Sequence, residues 1–193
     1  MSKTRLEAFS DGVIAILITI MVLELRTPAG HHWADLRALA AKFSAYVLSF
    51  VFLGIYWNNH HHMFHVCKHV TGGILWANLH LLFWLSLVPF TTAWMGEAVV
   101  APAPTALYGF VLLMSGAAYT ILARRIIASQ GAQSPLKAAF GIDRKGWASV
   151  LSYALAIPIA FVQPWASAAI YTGVAMMWLI PDRRIEKHLR GAT

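Results

Sequence analysis

Long apolar runs alternate with short polar breaks along this chain, and six of the runs approach the roughly 20 residues that an α-helix needs to cross a bilayer. They fall at residues 6–25, 38–59, 72–94, 105–127, 147–162 and 165–181. The last two are short and are parted only by Gln163 and Pro164, which predicts a tight helical hairpin or one bent segment. Helix breakers stand where loops are needed: Pro28 and Gly30, Gly72 and Gly73, Pro102 and Pro104, and the polar stretch from Ser129 to Gly146. The pattern predicts an all-α integral membrane protein with six transmembrane helices in one domain spanning residues 1–193.

Polar residues inside an apolar span are costly, on the order of 2.5–3.5 kcal/mol for an ionisable group by insertion scales, so they face protein or water rather than acyl chains. The first span is the richest in them, with Glu7, Ser10, Asp11, Thr19 and Glu24 in or beside it, which places this helix inside an assembly. Asp11 and the exit Leu23-Glu24-Leu25-Arg26 also depart from a secretory leader, which needs a small-residue cleavage site, so the helix is expected to be retained.

Composition agrees with a lipid solvent. Hydrophobic residues make up 59% of the 193, charged residues only 12%, and mean hydropathy is +0.61, whereas soluble domains carry about twice that charge. The net charge of +7 does not point to nucleic acid, because the basic residues sit in short clusters between apolar runs. Their placement instead orients the protein. Twelve lysines and arginines fall on the side of the two termini: Lys3, Arg5, Lys68, Arg124, Arg125, Lys137, Arg144, Lys145, Arg183, Arg184, Lys187 and Arg190. Only Arg26, Arg37 and Lys42 fall on the other. The positive-inside rule puts both ends in the cytoplasm of a cell whose plasma (inner) membrane holds the chain, and this requires an even number of spans. Trp33, Trp57, Trp94, Trp147, Trp165 and Trp178 lie near span ends, where an indole suits the headgroup region. The single cysteine, Cys67, excludes an intrachain disulfide and a cysteine-based zinc site.

At 100° per residue, Gly12, Ile16, Ile20 and Leu23 share one stripe of the first helix, with Thr19 beside it. Copies of this stripe around a symmetry axis would stack rings of Ile and Leu that gate by dewetting, with a layer of hydroxyls to meet an ion. A packing or lipid-facing stripe has the same periodicity.

The string Arg5-x-x-x-Phe9-Ser10-Asp11, followed by a helix ending Val22-Leu23-Glu24-Leu25, resembles the start of the prokaryotic transmembrane protein 175 family of potassium channels, and the length and six spans agree with it. The resemblance implies a homotetramer that conducts K+ and other monovalent cations, with the first helix of each subunit lining the pore and no TVGYG-type filter or cofactor. It places Ile16 on the main hydrophobic constriction, Ile20 and Leu23 on neighbouring rings, and Thr19 on the hydroxyl position tied to selectivity. A single hydroxyl layer implies a modest preference for potassium and leaves proton permeability open. Arg5, Phe9, Ser10 and Asp11 match the signature as a structural cluster at the cytoplasmic end of the helix. Glu24 reads either as a cation-concentrating carboxylate or as one solvated or paired with Arg26.

Two other polar groups need partners. Trp57 and His60 lie at the depth of Ser10 and Asp11 and could bond them, and Asn78 and His80 in the third span read as interhelical hydrogen-bonding groups. Alternatively, His61, His65 and His69 at i, i+4, i+8 on a helix could bind a transition metal, so that a secondary transporter or metal-ion carrier built on the His60–His69 cluster is the competing function. Enzyme signatures such as a P-loop, HExxH, GxSxG or GxGxxG are absent.

Overall fold

The computed structural model describes residues 2–28, 30–98, 100–131, 136 and 144–179; the basic C-terminal cluster, Lys137 and the last two residues of the sixth expected span lie outside them. Every regular element among the described residues is helical. α1 runs Lys3–Leu23, α2 Ala40–His65, α3 Gly72–Ser86, α4 Val88–Glu97, α5 Pro102–Gln130, α6 Arg144–Ile159 and α7 Pro164–Leu179, and a 3-10 helix over Trp33–Leu39 leads into α2. The ends follow local chemistry. Ser2 caps α1 by accepting from the Arg5 N–H, and Thr71 caps α3 by accepting from that of Ile74. Pro102 occupies the first turn of α5, where its missing N–H is harmless, and Gly131, at a φ of 71°, stops it.

α3 and α4 form one span with a kink at Leu87, so the seven helices among the described residues make six helical segments, four of them long and apolar enough to cross a membrane. Pro89 cannot donate to the carbonyl four residues back, and the hydroxyls of Thr91 and Thr92 bond Leu87 and Val88 carbonyls around the bend. The spans of α1, α2, α3–α4 and α5 are long and apolar enough to cross a membrane individually. α6 and α7, at 16 residues or about 24 Å each, are the short pair expected from the sequence; they form a hairpin through residues 160–163.

α5 is the central post, packed against α3, α4, α6 and α7, while α1 packs chiefly on α2, α3 and α4. Burial in lipid gains little from water exclusion, so cohesion rests on van der Waals fit and interhelical hydrogen bonds. One core joins Leu6, Ile14, Leu17 and Met21 of α1 to Leu53, Phe64, Leu81, Leu85 and Leu122. A second gathers Phe52, Met95, Tyr108, Tyr153 and Tyr171. The fit is close at Gly109, where an added Cβ would overlap Tyr171 Oη, and at Gly96, where it would lie 2.9 Å from Lys42 Cα.

Candidate pore-lining helix and its polar anchor

α1 has two unlike faces. Leu6, Ser10, Ile14, Leu17 and Met21, spaced four, four, three and four residues apart, are buried against the bundle. The opposite face is open: Ile16 is 56% exposed, Ile20 41% and Leu23 77%, and Thr19 and Gly12 are exposed with them. Thr19 Oγ1 donates to the Ile16 carbonyl at 2.9 Å, which ties its proton down and leaves its oxygen free to accept or to meet a cation. The chain therefore presents one continuous apolar stripe carrying one hydroxyl oxygen.

The Arg5–Asp11 signature divides between the two faces. Ser10 is fully buried and its hydroxyl donates to the Leu6 carbonyl at 2.9 Å. With that proton committed, Ser10 Oγ accepts from Asn78 Nδ2 at 2.9 Å. This turns Asn78 Oδ1 toward His60 Nε2, 2.7 Å away, and since an amide oxygen only accepts, Nε2 carries a proton. His60 is 1% exposed and its ring packs on Phe64 with centroids 4.5 Å apart. Asp11 Oδ1 separately accepts from Trp57 Nε1 at 3.0 Å, and Trp57 stacks on His61. Thus α1, α2 and α3 are joined by Ser10, His60 and Asn78, and α1 and α2 again by Asp11 and Trp57. His60 reaches Ser10 only through Asn78.

Arg5 and Phe9 lie elsewhere. Six residues turn a helix by about 240° net, so Arg5 and Asp11 point from different faces and form no ion pair. Arg5 is exposed and Phe9 is 49% exposed. Glu24 and Arg26 likewise do not pair; the one salt bridge among the described residues joins Lys42 and Glu97 at 3.1 Å.

Three expectations are corrected. His61, His65 and His69 do not share a helix face, because α2 ends at His65 and residues 67–70 leave it; among the described residues no group of three His, Cys, Asp or Glu is arranged to hold a metal. His60, His61, His62 and His65 belong to α2 itself, which continues six residues past the expected span, since hydropathy marks the end of the apolar run and not of the helix. His80 bonds within its own helix, accepting from Trp84 Nε1 at 2.9 Å, rather than across helices.

A buried hydroxyl relay was not foreseen. Thr92 Oγ1 donates to the Val88 carbonyl at 2.7 Å, so it accepts from Ser49 Oγ at 2.6 Å, which in turn accepts from Tyr108 Oη at 2.9 Å. The relay pins the kinked α4 to α2 and α5. Ser49 and Thr92 stand in apolar runs, the one signal the sequence offers for it. Cys67 is buried and its Sγ lies 3.4 Å from the His69 carbonyl; burial pushes its thiol above the ordinary range, toward an inert side chain.

Residues 5–89, from Arg5 through the α3–α4 kink, match the family profile described as the endosomal/lysosomal potassium channel TMEM175. A protein of Chryseobacterium sp. (strain P1-3) named as a potassium channel is 54% identical over 98% of this chain and 99% of its own length. The human endosomal/lysosomal proton channel TMEM175 is 38% identical over 43% of this chain and 19% of its own length. Among solved structures, the crystal structure of a lysosomal potassium-selective channel TMEM175 homolog from Chamaesiphon minutus superposes with a TM-score of 0.80 at 25% identity, covering 92% of this chain and 96% of that one.

Proposed function

We propose, because the chain belongs to the TMEM175 family, that it is a potassium-preferring cation channel whose conduction path is lined by the exposed face of α1 from each subunit of a homotetramer. The family and its relatives are channels, not enzymes. The observation that carries the reading is the open stripe of Ile16, Thr19, Ile20 and Leu23 on a helix whose other face is locked into the bundle. One stripe encloses nothing; four facing an axis make stacked apolar rings narrow enough to exclude water and so gate ion flow.

Ile16 is the principal constriction, with Ile20 and Leu23 above it toward the outer mouth. Thr19 supplies the oxygen layer between the Ile16 and Ile20 rings, and one such layer gives a modest preference of K+ over Na+ rather than the stringent choice of a carbonyl-lined filter. Other monovalent cations pass, and protons cross when the rings hold water. Ser10, Asp11, Trp57, His60 and Asn78 hold the cytoplasmic half of α1 against α2 and α3, so the stripe keeps its rotation about the helix axis. Both termini lie in the cytoplasm and the chain in the plasma membrane; the charge bias between the two sides supports the orientation.

Single-channel recording of the purified protein in planar bilayers under opposed K+ and Na+ gradients tests this reading. Unitary currents far above carrier turnover, with a reversal potential displaced toward that of K+, are expected; flux without unitary steps would sink it in favour of a carrier. A carrier built on the histidines has less support, since their shared face does not form, and α1 lacks the mid-depth break typical of transporter binding helices.

A further inference from the structure

The signature residue Arg5 is not held by the anchor that engages Ser10 and Asp11. Its side chain is exposed and has no hydrogen bond or ion pair among the described residues. Its position on α1 is informative: 11 residues separate it from Ile16, which at 100° each leaves an angular offset of about 20°. Phe9, also exposed, lies on the same line between them. The stripe of Ile16, Ile20 and Leu23 therefore continues toward the helix N-terminus through Phe9 and ends on a permanent positive charge.

Resting on the pore reading above, we infer that Arg5 sets cation access to the cytoplasmic mouth of the path: its guanidiniums, one per subunit, form a positive ring that depletes K+ there and makes the channel pass current more readily inward than outward at low salt. Eleven residues of helix put the ring about 16 Å from the Ile16 constriction. That is within the Debye length of about 30 Å at 0.01 M salt and far outside the 3 Å at 1 M. The ring thus acts at a distance only where screening is weak. Glu24, near the other end of α1 and exposed, carries the opposite sign, so the two mouths differ in charge.

The test is unitary current in bilayers of zwitterionic lipid, in symmetrical KCl at 10 mM and at 1 M. Wild type should rectify inward at 10 mM and pass nearly equal currents both ways at 1 M; equal currents at both salts would overturn the proposal without any variant. Arg5→Gln should raise the outward unitary current about twofold or more at 10 mM, with no difference from wild type at 1 M, and Arg5→Lys should match wild type, since a ring of point charge needs no fork geometry. A change that is equal at both salts, or shared by Arg5→Lys, would assign Arg5 a structural role instead. Ile16→Asn in the same recordings separates the two levels: if it alters the current and Arg5→Gln does not, the ring alone is wrong; if Ile16→Asn also leaves the current unaltered, the path itself is misplaced.

Discussion

At the scale of single residues, the polar groups of this chain fall into those that hold and those that face open space, and each class has its own expected behaviour. Replacing Ile16 with Asn should wet the constriction and raise unitary conductance, read directly in bilayers; intact tetramers with unchanged conductance would remove Ile16 from the gate. Thr19→Val removes the one oxygen of the stripe while keeping its shape, so the K+ over Na+ preference should fall, seen as a reversal potential moving toward zero in opposed gradients. Asn78→Leu deprives both Ser10 and His60 of a partner. Interhelical bonds of this kind average about 0.6 kcal/mol each in membranes, so a loss of about 1 kcal/mol in reversible unfolding in mixed micelles is expected. Much of this site was legible from residues alone, because Ser10, Asp11 and Asn78 are too polar for the runs they interrupt, and Trp57 and His60 stand at the end of the second run, at the matching depth. The route of the bonding was not: that His60 needs Asn78 to reach Ser10 depends on how far apart α1 and α2 stand, which no residue pattern encodes.

Elements obey a different logic, in which small residues decide how near two helices come. Tyr171 occupies the space beside Gly109 and donates to the Thr105 carbonyl at 3.1 Å, fastening α7 to α5. Gly109→Ala should drive that ring out, at a cost of about 1–3 kcal/mol, measured as lower resistance to thermal unfolding of the solubilised protein. Gly54→Ala is the control: nothing lies within 4 Å of the added methyl, so stability should hold or rise slightly. The spans were readable because lipid demands uninterrupted apolar helix, and among the described residues each expected segment falls outside the α-helices of the bundle by no more than three residues. The second needed its first two residues recast as a 3-10 turn and its end moved to His65. The kink at Leu87 was hidden inside one hydrophobic run, since Pro89 reads the same there whether it bends a helix or begins one.

For the whole molecule, the open face of α1 is the feature that matters: the helix richest in polar groups stands at the edge of the bundle with its apolar stripe bare. If copies converge on that stripe, Leu23, the most exposed of its residues, faces its own counterparts across the axis. Leu23→Cys should then yield disulfide-linked dimers on mild oxidation, resolved on non-reducing gels, and the native Cys67, buried in each subunit, should leave the background clean. Monomers after full oxidation of a conducting protein would count against the axis. The sequence could say that α1 belongs inside something, from its polar content, but not how many copies surround it, because symmetry is a property of the surface that helices expose together. The bond from Asn78 to Ser10 carries one more implication, for biogenesis. Asn78 is translated 68 residues after Ser10. Ser10 meanwhile commits its proton to the Leu6 carbonyl of its own helix, so of the two only the Asp11 carboxylate waits for a donor, which Trp57 of α2 supplies, whereas Asn78 enters last and finds its acceptor already made. α1 and α2 thus carry the acceptor and the donor that Asn78 needs before α3 is made.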